Sequence, residues 1–330
     1  MSRITSFHVC IHHVFPFTHI PFDRYNKTMD TEYFKSYDMW WGTLGTVRPF
    51  PNFHPDRDVV EIQTALEKKD AGILVRILTN RSNAQRQVIA KTFDDTTHKD
   101  LAIAVRKVVS GDVGTLLLEL LMPPLVYEAY RLQHAMVGLG TDEETLMEIL
   151  STRSGKQLKE ISALYKQLYK KELEKELKGE TSGDFAKLVV ALLHSLSASI
   201  NGKKGDAAPW IEILTSRDLD HLNKVLMGLE LQSGQTVDQA VEKRFTGDFR
   251  LGLKILVQCI QSPDVYLAKR ITAMKMPIVQ RILVSHSEED LLCIRVAYLK
   301  LTGTSLYTAL QKQFKGHHLQ ALLGICRSED

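Results

Sequence analysis

An all-α protein made of four copies of one helical unit is what this sequence predicts, and three observations carry the prediction. A five-residue motif recurs as Ile77-Leu78-Thr79-Asn80-Arg81, Ile149-Leu150-Ser151-Thr152-Arg153, Ile213-Leu214-Thr215-Ser216-Arg217 and Ile282-Leu283-Val284-Ser285-His286. A turn glycine follows each closing basic residue by thirty positions, at Gly111, Gly183, Gly247 and Gly316. Apolar side chains recur at helical spacing, as in Val59, Ile62 and Leu66, or Leu125, Ala129, Leu132 and Met136, or Leu291, Ile294 and Ala297. Strand-like alternation is scarce. A fixed offset repeated four times marks an internal repeat. Each unit has room for about five short helices of ordinary length. A unit of ~70 residues is marginal alone, so the four are expected to pack into one array.

In chain order, residues 1–53 read as a leader. Met1 to Lys27 is rich in His, Phe and Pro and lacks helical periodicity or a signal-peptide core, so residues 1–28 are expected to be disordered. His12 and His13 read as part of a solvated tail, and Trp40-Trp41 as an aromatic anchor that packs back on the body or meets a membrane interface. The repeats are placed at 54–124, 125–198, 199–262 and 263–330, with prolines at the joints (Pro123-Pro124, Pro263). Repeat III is short. Gly183 to Arg217 is 34 residues where Gly111 to Arg153 is 42, so its first helix is expected to be truncated or absent.

Composition narrows the function classes. The chain has 330 residues, 44% hydrophobic and 25% charged, the content of an ordinary globular protein. A formal charge of +3 does not argue for nucleic acid but leaves an anionic membrane surface open. No apolar run reaches the ~20 residues of a spanning helix. The four cysteines show no CxxC pair and no zinc spacing, and Cys259, Cys293 and Cys326 in apolar helical contexts are expected to be inert buried thiols of a cytosolic chain. No phosphate loop, HExxH, EF-hand loop or nucleophile elbow occurs, so no enzyme is expected. The recurring Arg81, Arg153 and Arg217 read as interior ion pairs or carbonyl contacts. Lys170 to Glu176 reads as a solvated helix face, and His317-His318 as surface.

One stretch carries chemistry. It opens as Met136-Val137-Gly138-Leu139-Gly140-Thr141-Asp142-Glu143-Glu144 and closes, after a helical run to about Leu177, as Gly179-Glu180-Thr181-Ser182-Gly183-Asp184. Two glycines in three residues let the backbone fold back so that its carbonyls face one point. Thr141, followed by three carboxylates, reads as a helix N-cap. A helical hairpin would return Glu180 to that loop. Converging carbonyls and a carboxylate are hard oxygen donors, the kind Ca²⁺ takes.

With its repeats aligned, the chain resembles an annexin from about residue 40 to 328. The resemblance rests on the repeated Ile-Leu-Thr-x-Arg, the Gly-x-Gly-Thr-Asp-Glu-Glu loop and the Gly-Glu-Thr-Ser-Gly-Asp turn. It implies four annexin-type repeats of five helices packed as a curved disc, and calcium-dependent binding to acidic, phosphatidylserine-like phospholipid. It implies a cytoplasmic protein peripheral to the cytosolic face of plasma or vesicle membranes, with protein partners possible through the leader. By the family's pattern the carbonyls of Met136, Gly138 and Gly140 and the carboxylate of Glu180 hold the ion. Glu180 stands where aspartate is commoner, and Val137 where lysine is usual.

The same offsets test the other copies. The residue 27 positions after the basic residue is Glu180 in repeat II but Val108, Arg244 and Gln313 elsewhere. At the glycine positions repeat I has Leu66 and Lys68, and repeat III has Gly202 and Lys204. Repeat IV is five residues short there, with 12 residues from Met274 to His286 against 17 from Met136 to Arg153. One working site is therefore expected, with a minor one at the Thr141 carbonyl and Glu144. The alternative is a degenerate scaffold that acts through calcium-independent protein contacts.

Overall fold

The computed structural model describes residues 44–138, 140–194, 207–215 and 219–327; for 208, 209 and 219–221 it describes the backbone alone. The expectations for residues 1–28, His12-His13, Trp40-Trp41, the loop at 199–206 and Arg217 lie outside these residues. Among the described residues there are helices and no strands.

Five helices form the first copy: α1 (Pro55–Lys68), α2 (Ala71–Thr79), α3 (Asn83–Thr97), α4 (Leu101–Val108) and α5 (Gly111–Leu121). The second has α6 (Pro124–Met136), α7 (Glu143–Thr152), α8 (Gly155–Tyr169), α9 (Leu173–Glu180) and α10 (Gly183–Leu193). Four described helices follow, α11 (Ala208–Thr215), α12 (Leu219–Ser233), α13 (Val237–Arg244) and α14 (Gly247–Gln261). The last five are α15 (Pro263–Thr272), α16 (Met276–His286), α17 (Leu291–Thr302), α18 (Leu306–Gln313) and α19 (Gly316–Cys326).

Local chemistry sets these boundaries. Prolines start α1, α6 and α15, where a missing N–H costs nothing. Ser82 and Ser154 close capping boxes with Gln85 and Gln157 at the starts of α3 and α8. The thirty-residue offset has a structural meaning. Gly111, Gly183, Gly247 and Gly316 each open the last helix of a copy with φ between 59 and 67°, a left-handed turn suited to glycine. The helical run expected to about Leu177 is two helices. α8 ends at Tyr169 and Lys170 caps it at φ 58°, because the polar run from Lys170 to Glu172 has no apolar side chain to bury before Leu173.

The recurring motif fills the core. Ile77, Leu78, Ile149, Leu150, Ile282 and Leu283 are fully buried at the joint of the first and second helices. In the third copy Leu214 is buried but Ile213 is 47% exposed, and no described helix precedes α11 there to cover it. Leu66 and Leu125, expected in the core, are half-buried. Residues 44–47 tie the first copy to the last: Thr46 and Val47 donate backbone N–H groups to the Ser287 carbonyl at 2.8 and 2.9 Å. Gly45 is required there, since a Cβ would lie 2.4 Å from the Glu288 backbone.

Two of the three recurring arginines, Arg81 and Arg153, form interior ion pairs. Arg81 meets Asp58 through two bonds of 2.7 Å, both groups buried. Arg153 reaches Glu128 at 3.0 Å and Glu289 at 2.5 Å. In the fourth copy Leu267 and His286 replace this acid and base. Leu267 is buried, and His286 pairs instead with Asp290, Nδ1 to Oδ1 at 2.6 Å. The second and fourth copies are joined by a buried network in which Arg131 bridges Glu128 and Glu148, and Arg270 also reaches Glu148. Burial alone would raise both carboxyls. Arg153 and Arg131 outweigh it at Glu128, which lies below its usual range, and Arg131 with Arg270 brings Glu148 down to about 2.

Cys259 and Cys326 are buried, but Cys293 is half-buried. His317 is exposed; His318 is half-buried and bonds Gln280 through Nε2 at 2.9 Å, a partner that local sequence gives no sign of.

Candidate metal centre

The stretch from Met136 to Glu180 forms a loop and a helix end held together. Six residues separate α6 from α7, and their ends are pinned by the Asp142 N–H donating to the Ala135 carbonyl at 2.8 Å. Within the loop Gly138 and Gly140 have φ of 124 and 95°. Side-chain-bearing residues rarely adopt such angles, and a Cβ at either would meet open space. Glycine is therefore needed for backbone conformation and not for packing.

The carboxylate side is anchored by one bond. Glu180 is the last residue of α9, and its carbonyl accepts a 3.0 Å hydrogen bond from the Thr141 hydroxyl. That bond joins residues 39 apart and brings the α9 terminus to the glycine loop. The Glu180 side chain is exposed and has no ion pair among the described residues. Among the same residues, the carbonyls of Met136, Gly138 and Gly140 accept no hydrogen bond. Orphan carbonyls at a helix end need a partner, and water or a hard cation supplies one. The donor set fits calcium.

Two details differ from the sequence reading. Asp142, not Thr141, is the N-cap of α7: its side chain accepts from the Thr145 N–H at 3.0 Å, while Thr141 is drawn off to Glu180. Glu144 is paired with Arg270 at 3.3 Å, a guanidinium whose charge opposes a cation at the minor site expected from the Thr141 carbonyl and Glu144. Basic groups of the fourth copy crowd this helix start, with Arg281 3.7 Å from Asp142 and 3.2 Å from His134. Residues so distant in sequence leave no local signal of such contacts.

The other copies keep the frame and lack the donors. Val108, Arg244 and Gln313 each end the helix before the last of a copy, as Glu180 does. In the first copy the Asp70 N–H bonds the Ala65 carbonyl at 2.8 Å, the counterpart of Asp142 and Ala135, with two residues fewer between. Leu66 and Lys68, read at the glycine positions, lie inside α1. Lys69 and Asp70 alone separate α1 from α2. In the fourth copy only residues 273–275 separate α15 from α16, which leaves no room for a carbonyl loop. One further group of ligand-type residues, His286, Glu289 and Asp290, has its atoms within 4.8 Å. They are committed to one another and to Arg153, whose charge opposes a cation.

No helix among the described residues is long and apolar enough to cross a membrane.

The annexin family model matches residues 57–120, 127–192 and 278–325. Human annexin A9 is 33% identical over 316 residues, covering 88% of this chain and 92% of that relative, and mouse annexin A9 gives the same identity and coverage. Among solved structures, annexin III superposes with a TM-score of 0.83 at 33% identity, covering 88% of this chain and 99% of that one. Chicken annexin V in complex with Zn²⁺ gives 0.80 at 32% identity, covering 86% and 99%.

Proposed function

Because the chain belongs to the annexin family, whose members in general bind phospholipid through calcium, we propose that it does so through one ion, held in repeat II. The carbonyls of Met136, Gly138 and Gly140 and the carboxylate of Glu180 are the protein ligands. The observation that carries this reading is the Thr141–Glu180 bond, which draws the carboxylate-bearing helix end to a loop of uncommitted carbonyls.

Ca²⁺ takes 6–8 oxygens, so four protein donors leave places for water or for a phosphate oxygen of an acidic, phosphatidylserine-like headgroup. The ion then bridges protein and bilayer, and its affinity depends on lipid. With one carboxylate and Arg281 nearby, affinity without lipid is on the order of 10⁻⁴ M or poorer. Val137, 58% exposed between the glycine loop and α6, puts an apolar side chain where it can enter the interfacial layer. The protein acts as a peripheral membrane binder on the cytosolic face, without an enzymatic step.

A single site limits attachment. Multivalency multiplies affinity by ~10²–10⁴, and a one-site molecule forgoes that gain. Membrane binding therefore needs more calcium or more anionic lipid than in a four-site relative. Pelleting with phosphatidylserine vesicles across a calcium series tests this; tight binding at micromolar calcium refutes it.

A second reading is supported by the same decay. Three of the four helix ends carry no carboxylate, which is what a scaffold working through calcium-independent protein contacts would tolerate. Glu180→Ala separates the two: it abolishes calcium-dependent pelleting under the first and changes nothing under the second.

A further inference from the structure

The glycine loop of the second copy is held by a side chain of the fourth. Arg281, half-buried in the middle of α16, reaches across the joint to it. Among the described residues, its one ion pair and its one hydrogen bond both fall on the ends of that loop. Nη2 lies 3.2 Å from His134 Nδ1 in the last turn of α6, and since a guanidinium carries no acceptor it donates there. Nη1 lies 3.7 Å from Asp142 Oδ2, at the N-cap of α7. One planar cation therefore spans the chain where it leaves α6 and where it enters α7.

The repeat shows why this arginine turns to the loop. The residues that precede the four Ile-Leu motifs are Arg76, Glu148, Glu212 and Arg281. In the second copy Glu148 is taken by Arg131 and Arg270, which occupy equal positions seven residues after Pro124 and Pro263. In the fourth copy the same position is a cation and cannot pair with them. The acid it finds is Asp142, across the joint. Carbonyl ligands point where the loop ends place them, and those ends are fixed by the Asp142–Ala135 bond from within and by Arg281 from outside.

Resting on the calcium reading above, we propose that Arg281 is a positioning residue for that site. By gripping both ends of the loop it holds the Met136, Gly138 and Gly140 carbonyls on the ion. Calcium affinity in the second copy then depends on its joint with the fourth. The charge of Arg281 acts the other way, against the ion. Arg281→Lys separates the two effects, because lysine keeps the charge but has no rigid fork to span both ends.

The test compares the full wild-type chain with Arg281→Lys and Glu180→Gln by pelleting with phosphatidylserine vesicles across a calcium series. Europium lifetimes in H₂O and D₂O, without lipid, count the waters on an ion in the site. Removing a group that orients metal ligands costs ~10–100-fold in affinity, so Arg281→Lys is expected to raise the calcium midpoint at least about tenfold. It is also expected to add about one water to the bound europium, as a carbonyl leaves the ion. A fold that is merely less stable lowers the bound fraction and leaves the water count as it was. An unchanged midpoint in Arg281→Lys, or a raised midpoint with an unchanged water count, overturns the positioning role; loss of binding in Glu180→Gln then leaves the calcium reading standing. Equal pelleting by wild type and Glu180→Gln overturns both.

Discussion

Replacing Glu148 by glutamine removes the carboxylate that Arg131 and Arg270 share across the joint of the second and fourth copies. Burial alone would raise this carboxyl, but Arg131 and Arg270 bring it down from 4.5 to about 2 in the folded protein, which contributes on the order of 3 kcal/mol of stability at neutral pH. The folded value lies below the unfolded one, so this contribution is complete above about pH 4.5 and is lost as pH falls towards 2. At pH 3.5 the loss is on the order of 1 kcal/mol. The substitution also leaves two buried guanidinium groups short of charge, which places its cost at neutral pH within the roughly 3–5 kcal/mol seen when one partner of a buried pair is removed. Urea unfolding of both proteins at pH 7 and at pH 3.5 reads the difference. The gap between wild type and Glu148→Gln is expected to be about 1 kcal/mol smaller at the lower pH. An equal gap at both pH values, or a gap under about 1 kcal/mol at pH 7, would refute the network argument.

Arg81→Met strands the buried Asp58 and is expected to cost about 3–5 kcal/mol by urea unfolding, while the double change with Asp58→Leu recovers most of it, as Leu267 does in the fourth copy. Gly140→Val forces a branched side chain to φ 95°; calcium-dependent pelleting should need at least about tenfold more calcium, with a strain cost confined to an exposed loop of about 1–3 kcal/mol. Among Cys259, Cys293 and Cys326, a water-soluble thiol reagent is expected to label Cys293 first, and slowly, since burial holds its thiol above the usual range. Labelling of Cys326 before Cys293 by mass spectrometry would contradict the packing described.

Much of this architecture is local, and local features are what a sequence displays. The Ile-Leu-x-x-Arg motif marks second helices because their apolar pair must be buried and their closing arginine must find an acid. The thirty-residue offset survives because one left-handed glycine opens the last helix of each copy. The glycine loop and Glu180 were legible for the same reason, since φ beyond 90° at Gly138 and Gly140 admits almost no other residue. Contacts made across the chain left no such trace. Arg270 acts 122 residues from Glu148, and Arg281 reaches the start of α7 from the fourth copy. The capping role moved from Thr141 to Asp142 because the threonine hydroxyl had a distant partner in Glu180. In the first copy the span between the hydrogen-bonded ends is shorter by two residues, and Leu66 and Lys68 lie inside α1.

Equilibrium dialysis of ⁴⁵Ca²⁺ against the full chain with excess phosphatidylserine vesicles counts the ions that the protein and lipid hold together. One lipid-dependent ion per wild-type chain and none for Glu180→Gln is the expected result. Two or more ions per chain, or an unchanged count in the variant, would contradict a single calcium bridge at the Gly138–Gly140 loop.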